Sequence, residues 1–153
     1  MAVLLVGLGA TLGLLALHGR ALLLLGERYE TQSLRWLRQR RFDAVVLLFF
    51  AVVLGLLLLH LLEIGLWALA LRGTGLVLDL PTSLEFSGST CLGLGVASNP
   101  LPAPWRLLAI FMVLGGTVNM AWTVSALVAM NGNFRAAYTQ RRLARLQNDA
   151  SPV

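Results

Sequence analysis

Three long apolar runs constrain the fold of this chain more than any other feature of its sequence. They are Ala2–Leu25, Ala44–Leu71 and Leu107–Met130, and each exceeds the roughly 20 residues that a helix needs to cross a bilayer. Only 12% of the 153 residues are charged, whereas soluble domains carry about 25%. The sequence therefore predicts an all-α membrane protein with three transmembrane helices. We expect the first run to be a retained span, because it lacks the basic flank and the short apolar core of a signal peptide.

The basic residues, all of them arginines, are distributed unequally around these runs. Ten lie on one side of the predicted spans, namely Arg20, Arg28, Arg35, Arg38, Arg40, Arg41, Arg135, Arg141, Arg142 and Arg145. Only Arg72 and Arg106 lie on the other side. Because cytoplasmic loops carry the excess of basic residues, we expect the N-terminus outside and the C-terminus in the cytoplasm. We expect the arginines to set the orientation of the chain in the membrane and to contact membrane lipids. We expect no nucleic acid as a partner.

The connection between the second and third runs is too apolar for a solvent-exposed loop and too interrupted for a span. Pro81 suits the first turn of a helix, where its missing N–H costs nothing. We predict a short helix over 81–90 and, because glycines and prolines follow it, a re-entrant loop. Irregular backbone at membrane depth must be buried in protein or line water.

Two glycines, Gly93 and Gly95, alternate with leucines directly after this short helix. Because glycine accepts positive φ, the alternation lets successive carbonyl groups face one side. Several copies around an axis would then form rings of oxygens that replace the hydration shell of a cation. The negative C-terminal end of the short helix would favour a cation there. A glycine-rich turn without any role in ion binding explains the same spacing equally well.

The order of span, short helix, glycine loop and span resembles the pore module of tetrameric potassium channels. More closely, it resembles a group of small bacterial potassium-channel-like proteins that carry one extra N-terminal span. It rests on the strings HLLEIGLWALALR (His60–Arg72), TCLGLG (Thr90–Gly95), LPAPWRLLA (Leu101–Ala109) and NMAWTVSAL (Asn119–Leu127). It implies a homotetramer in a bacterial inner (plasma) membrane, with a selectivity filter at 91–96. The ion-coordinating residues would be Thr90, Cys91, Leu92, Gly93, Leu94 and Gly95.

The filter differs from the family pattern at three positions. Cys91 stands in place of a threonine, Leu94 in place of an aromatic residue, and Val96 in place of an acidic residue. A thiol is a softer ligand than a hydroxyl and suits an alkali cation less well. The backbone carbonyls remain available as ligands, because they do not depend on the identity of the side chain.

With the resemblance, the chain divides into four segments. These are an N-terminal span (1–25), a cytoplasmic basic segment (26–43) that could form a short amphipathic helix along the inner interface, a pore module (44–130) and a cytoplasmic basic tail (131–153). The single cysteine, Cys91, excludes an intrachain disulfide and a multi-cysteine metal site.

Candidate residues that support the pore lie on the second span and on the short helix. His60 and Glu63 share one face at a spacing of three residues, and Trp67 extends that face. Two interpretations of the pair stay open, a polar clamp inside the subunit and a proton-sensitive switch behind the filter. Two ligands on one span are too few for zinc. Glu85 either lends negative charge behind the filter or pairs with an arginine at one end of the connection.

A lone histidine, His18, is expected near the inner interface and at a different depth from His60. On the third span, Gly115 and Gly116 predict either a gating hinge or close helix packing. Asn119 and Thr123 are one turn apart and are expected to line a cavity.

These features predict a channel subunit that conducts monovalent cations, with potassium as the first candidate. The alternative is a non-conducting structural or regulatory membrane protein on the same scaffold. The sequence contains no arrangement of catalytic side chains, no phosphate-binding loop and no metal cluster. We therefore expect no enzyme and no cofactor other than the permeant cation.

Overall fold

The structure, a computed structural model, describes residues 2–95 and 99–149, without the side chains of residues 145, 148 and 149. Its elements are α1 (Ala2–Arg38), α2 (Phe42–Gly73), α3 (Leu80–Cys91) and α4 (Leu108–Asp149), with a 3₁₀ turn at Ala103–Trp105. No strand occurs in this part of the chain, so the prediction of an all-α fold is confirmed. Three segments, Ala2–Arg38, Phe42–Gly73 and Ala103–Ala144, are long and apolar enough to cross a membrane.

Two helices extend beyond the predicted spans. α1 continues through Gly26 to Arg38, so the basic segment after the first apolar run prolongs α1 and forms no separate helix. A single glycine inside a helix costs only about 1 kcal/mol, and no proline follows it before α1 ends. The stop comes in a turn where the Arg41 N–H donates to the Trp36 carbonyl at 2.9 Å and Arg40 adopts a φ of 56°. α4 likewise continues past Met130 to Asp149.

The chain divides into two compact units, Met1–Arg20 with Leu57–Trp122 and Ala21–Leu56 with Thr123–Val153. The core of the first unit joins α2, α3, α4 and the segment before α4. Its buried apolar residues are Trp67, Leu71, Val77, Phe86, Cys91, Leu101, Leu108 and Met112. Residues of α1, among them Ala10 and Leu14, pack against this cluster.

The second unit has a smaller core, formed by Tyr29, Val52, Leu56 and Met130. The Tyr29 hydroxyl donates to the Met130 carbonyl at 3.1 Å, and the Asn133 amide donates to the Ser33 hydroxyl at 2.9 Å. Both bonds join α1 to α4 within this unit. The phenol and the amide are therefore both hydrogen-bonded. This matters in an otherwise apolar contact, because an unpaired polar group that is buried costs free energy.

Most of the apolar surface of the spans is not covered by the chain itself. In the most apolar part of the three spans, only 17%, 17% and 22% of the residues are buried inside the protein. Large side chains such as Leu47 (71% exposed) and Val128 (70% exposed) face outward. Such surface is favourable only against lipid or against other apolar protein, which agrees with a membrane location.

Candidate functional site

The first candidate site is α3 and the loop that follows it. Asp79 precedes α3 in an extended conformation, and its carboxylate accepts from the Thr82 N–H at 2.9 Å and from the Thr82 hydroxyl at 2.6 Å. These hydrogen bonds hold the pKa of Asp79 below its usual value, because they stabilise the charged form. Pro81 lies in the first turn. A helix is present at the predicted position, with one residue added at each end, and its re-entry into a membrane stays a prediction.

The C-terminal end of α3 is closed by a glycine turn. The Leu94 N–H donates to the Ser89 carbonyl at 2.9 Å, and the Gly93 N–H donates to the Thr90 carbonyl at 3.0 Å. This pair of bonds is the Schellman arrangement, in which a residue with positive φ ends the helix. Gly93 is that residue, with a φ of 70°. Gly95 also has a positive φ, 75°, so the sign of φ alternates from Leu92 to Gly95.

The predicted filter residues divide into a buried and an exposed group. Thr90 and Cys91 are buried, whereas Leu92 is 48% exposed and Leu94 is 77% exposed. The Cys91 carbonyl lies against α4, since a Cβ added at Gly116 would clash with that oxygen. Val96, the last position of the predicted filter, lies outside the described residues.

The second candidate site is a polar cluster inside the spans of the first unit. His18 Nδ1 lies 2.7 Å from Glu63 Oε1, a hydrogen bond in which the imidazole N–H donates to the carboxylate. Asn119 Nδ2 donates to Glu63 Oε2 at 3.0 Å, and His60 Nδ1 lies 3.7 Å from the same oxygen. The two imidazole rings are 5.1 Å apart. Glu63 therefore joins α1, α2 and α4.

The prediction that His18 and His60 lie at different depths is wrong. Because α1 ends at Arg38, His18 stands 20 residues before the end of its helix, and His60 stands 18 residues after the start of α2 at Phe42. At 1.5 Å per residue these positions are about 30 Å and about 27 Å from the turn. The length of α1 thus brings the two histidines to one level. A prediction that residues 26–38 continue α1 would have placed the two histidines at the same depth.

The remaining predicted residues surround these two sites. Trp67 is buried in the apolar core, and Glu85 is exposed on α3. Glu85 forms no ion pair with Arg72 or Arg106, although all three residues are described.

A small cavity of about 20 Å³ has walls that include Thr11, His60, Glu63, Cys91, Gly116 and Asn119. Asn119 lies at the wall of this cavity, whereas Thr123, one turn further along α4, is buried and is not among the residues that line it.

Gly115 and Gly116 lie inside an unbroken helix. A Cβ added at Gly115 would stand 3.0 Å from Thr11 Cγ2, and one at Gly116 would meet the backbone of Cys91. Both glycines therefore allow a close approach to α4, by α1 and by the end of α3. This geometry favours the packing interpretation over the hinge.

The chain was also compared with protein-family models, curated proteins and solved structures. None of the three comparisons finds a match. The resemblance to potassium channels therefore stays a prediction from the strings quoted above.

Proposed function

We propose that this protein is one subunit of a pore-loop channel that passes monovalent cations, with potassium as the first candidate ion. The observation that carries the proposal is the exposed backbone after α3, where positive φ at Gly93 and Gly95 alternates with Leu92 and Leu94. Such alternation turns successive carbonyls towards one side. A row of carbonyls on one side is the chemical requirement for replacing the water around an alkali cation.

The charge around this loop favours a cation over an anion. Between Arg72 and Arg106 the sequence holds two acidic residues, Asp79 and Glu85, and no basic residue. The C-terminal end of α3, which carries partial negative charge, borders the loop. No basic side chain in the last turn of α3 cancels that charge.

The loop needs neighbours to become an ion path. One chain supplies one short helix and one strand of carbonyls, so a ring requires several copies around an axis. The exposure of Leu94, 77%, is unfavourable for a single chain in water and leaves an apolar side chain for contact with other copies. We propose a homotetramer in a bacterial inner membrane, with α3 and its loop re-entering the membrane from the outside.

A second candidate, a non-conducting structural or regulatory membrane protein, is supported by one observation. The turn after α2 has the same hydrogen bonds as the turn after α3, since Leu76 N–H donates to the Leu71 carbonyl and Gly75 N–H to the Arg72 carbonyl, both at 3.0 Å. Gly75 has a φ of 71°, nearly equal to that of Gly93. Ending a helix is therefore a sufficient reason for the conformation of Gly93.

The same pair of turns supplies the matched control for the test. Neither Gly75 nor Gly93 has an atom within 4 Å of an added Cβ, so substitution by alanine brings the same backbone strain and no clash at either position. We expect Gly93→Ala to abolish potassium flux from proteoliposomes, because the Cβ disfavours the φ that orients the carbonyls, and Gly75→Ala to retain it. Equal flux from both variants, or no flux from intact wild-type oligomers, would support the non-conducting protein.

A further inference from the structure

The polar cluster of the first unit gathers every imidazole of the chain. The sequence contains two histidines, and His18 and His60 come together with Glu63 although they lie on different helices. One potential ligand atom from each of the three residues lies within 4.8 Å of the others. His18 is fully buried, Glu63 is 5% exposed, and the His60 side chain is 15% exposed.

We propose that His18, His60 and Glu63 bind a divalent transition-metal ion of the zinc type. Two imidazole nitrogens and one carboxylate oxygen are ligands that zinc accepts, and three protein ligands with an open fourth position are a known form of zinc site. The sequence offered only two ligands on one span. The third comes from α1, whose length places His18 beside α2. This proposal is independent of ion conduction.

The distances in the cluster are close to those that a metal requires. Zinc lies about 2.0–2.2 Å from nitrogen and oxygen ligands, so two ligands of a tetrahedral site are about 3.3 Å apart. The separation of His18 Nδ1 from Glu63 Oε1 is 2.7 Å, and that of His60 Nδ1 from Glu63 Oε2 is 3.7 Å. These values lie on either side of the required one. They involve different oxygens of Glu63, and one ligand atom from each of the three residues lies within 4.8 Å of the others, so the side chains would have to draw closer together around an ion.

The surroundings supply the rest of a metal site. The cavity beside His60 and Glu63 has about 20 Å³ of space, enough for one water as the fourth ligand. Asn119 donates to the carboxylate of Glu63 and would hold it in the orientation for binding. Asn119 is 3% exposed, and its Oδ1 has no hydrogen-bond partner among the described residues. Asn119 is one of the residues that line the cavity, so this oxygen is a candidate acceptor for a metal-bound water.

Charge balance also favours a metal at this cluster. A carboxylate inside a span is costly unless an opposite charge accompanies it. A divalent cation uses all three side chains, and a bound hydroxide in the open position would complete a neutral site.

The test measures metal content of full-length protein purified in detergent with a tag that contains no histidine. After exposure to zinc chloride and removal of the excess, we expect one zinc ion per chain in the wild type. His18→Gln and His60→Gln should each lose the ion, whereas Glu27→Gln, which alters an exposed carboxylate on the same helix as His18, should retain it. Asn119→Ala should weaken zinc binding by roughly 10–100-fold, as expected for a positioning residue behind a ligand.

A measurement on the wild type alone covers the case in which a histidine variant does not fold. X-ray absorption of the zinc-loaded protein should show nitrogen and oxygen ligands at about 2.0–2.2 Å with imidazole scattering. Zinc binding at a wild-type level in folded histidine variants would overturn the proposal. So would the absence of bound zinc, or a spectrum without imidazole, and the cluster would then be a hydrogen-bonded clamp only.

Discussion

His18 Nδ1 lies 2.7 Å from Glu63 Oε1, although 45 residues separate them along the chain. This contact joins α1 to the helix that precedes α3, and residues 2–20 of α1 belong to the same compact unit as α3 and the loop that follows it. Because Glu63 also accepts from Asn119 of α4, one carboxylate connects three helices. The arrangement favours the polar-clamp interpretation of His60 and Glu63 over a switch.

Replacing Glu63 tests the clamp. Glu63→Gln keeps the shape of the side chain but removes the negative charge to which His18 and Asn119 donate hydrogen bonds. We expect a loss of roughly 1.5–3 kcal/mol of stability, the usual contribution of a hydrogen bond to a charged group, measured as a lower melting temperature and a lower oligomer yield in detergent. Any change in ion preference should be smaller. Normal assembly combined with an altered pH dependence of flux would favour the switch instead.

Gly116 tests the packing of α4. In Gly116→Ala the new Cβ would clash with the Cys91 carbonyl oxygen, so the backbone of α3 or α4 must shift. Overpacking of this kind costs about 1–3 kcal/mol. Gly132→Ala is the control on the same helix, because nothing lies within 4 Å of its added Cβ, and it should gain roughly 0.5–1 kcal/mol. Thermal unfolding in detergent distinguishes the two, and equal stability would contradict the close approach.

Asp79 tests the start of α3. Asp79→Ala removes the acceptor for the Thr82 N–H and hydroxyl, and should lower the melting temperature, whereas Asp79→Asn keeps an acceptor and should stay near the wild type. Because the pKa of Asp79 is lower in the folded protein, its ionisation stabilises the fold above about pH 3.8. That contribution should disappear as the pH falls through the folded pKa. Identical acid sensitivity of wild type and Asp79→Asn would argue against it.

Much of the architecture could be predicted because it depends on local patterns. The apolar runs indicate the spans, and Pro81 followed by the glycines after Cys91 indicates a short helix. The continuation of α1 to Arg38 could not be predicted with the same ease. Gly26 and the arginines resemble the end of a span, and the turn that ends α1 uses Arg40 with positive φ where glycine is usual.

The polar cluster was predicted only in part, because it depends on contacts between helices. The spacing of His60 and Glu63 places both on one face of α2, which is a local property. The partnership of Glu63 with His18 depends on the length of α1, and that with Asn119 depends on where α4 passes α2. Asn119 did carry a signal, since an amide in an apolar span needs a partner.

The proposed orientation can be tested with introduced cysteines. The native thiol, Cys91, is buried at 9% exposure and should not react in the folded protein. Asn99→Cys, between α3 and α4, should react with an impermeant thiol reagent added outside intact cells. Gln39→Cys, in the turn between α1 and α2, should react only after the membrane is permeabilised. The reverse pattern would invert the topology and place α3 on the cytoplasmic side.

The most direct measurement of the central claim is ion flux from liposomes that contain the purified wild-type protein. Potassium, sodium and a large impermeant organic cation are compared in separate preparations, with protein-free liposomes as the control. A carbonyl-lined path predicts flux of potassium and sodium above the control and none of the organic cation; a tenfold preference for potassium would correspond to about 1.4 kcal/mol in relative barrier. Intact oligomers that release no ion, or that release all three cations alike, would contradict the claim.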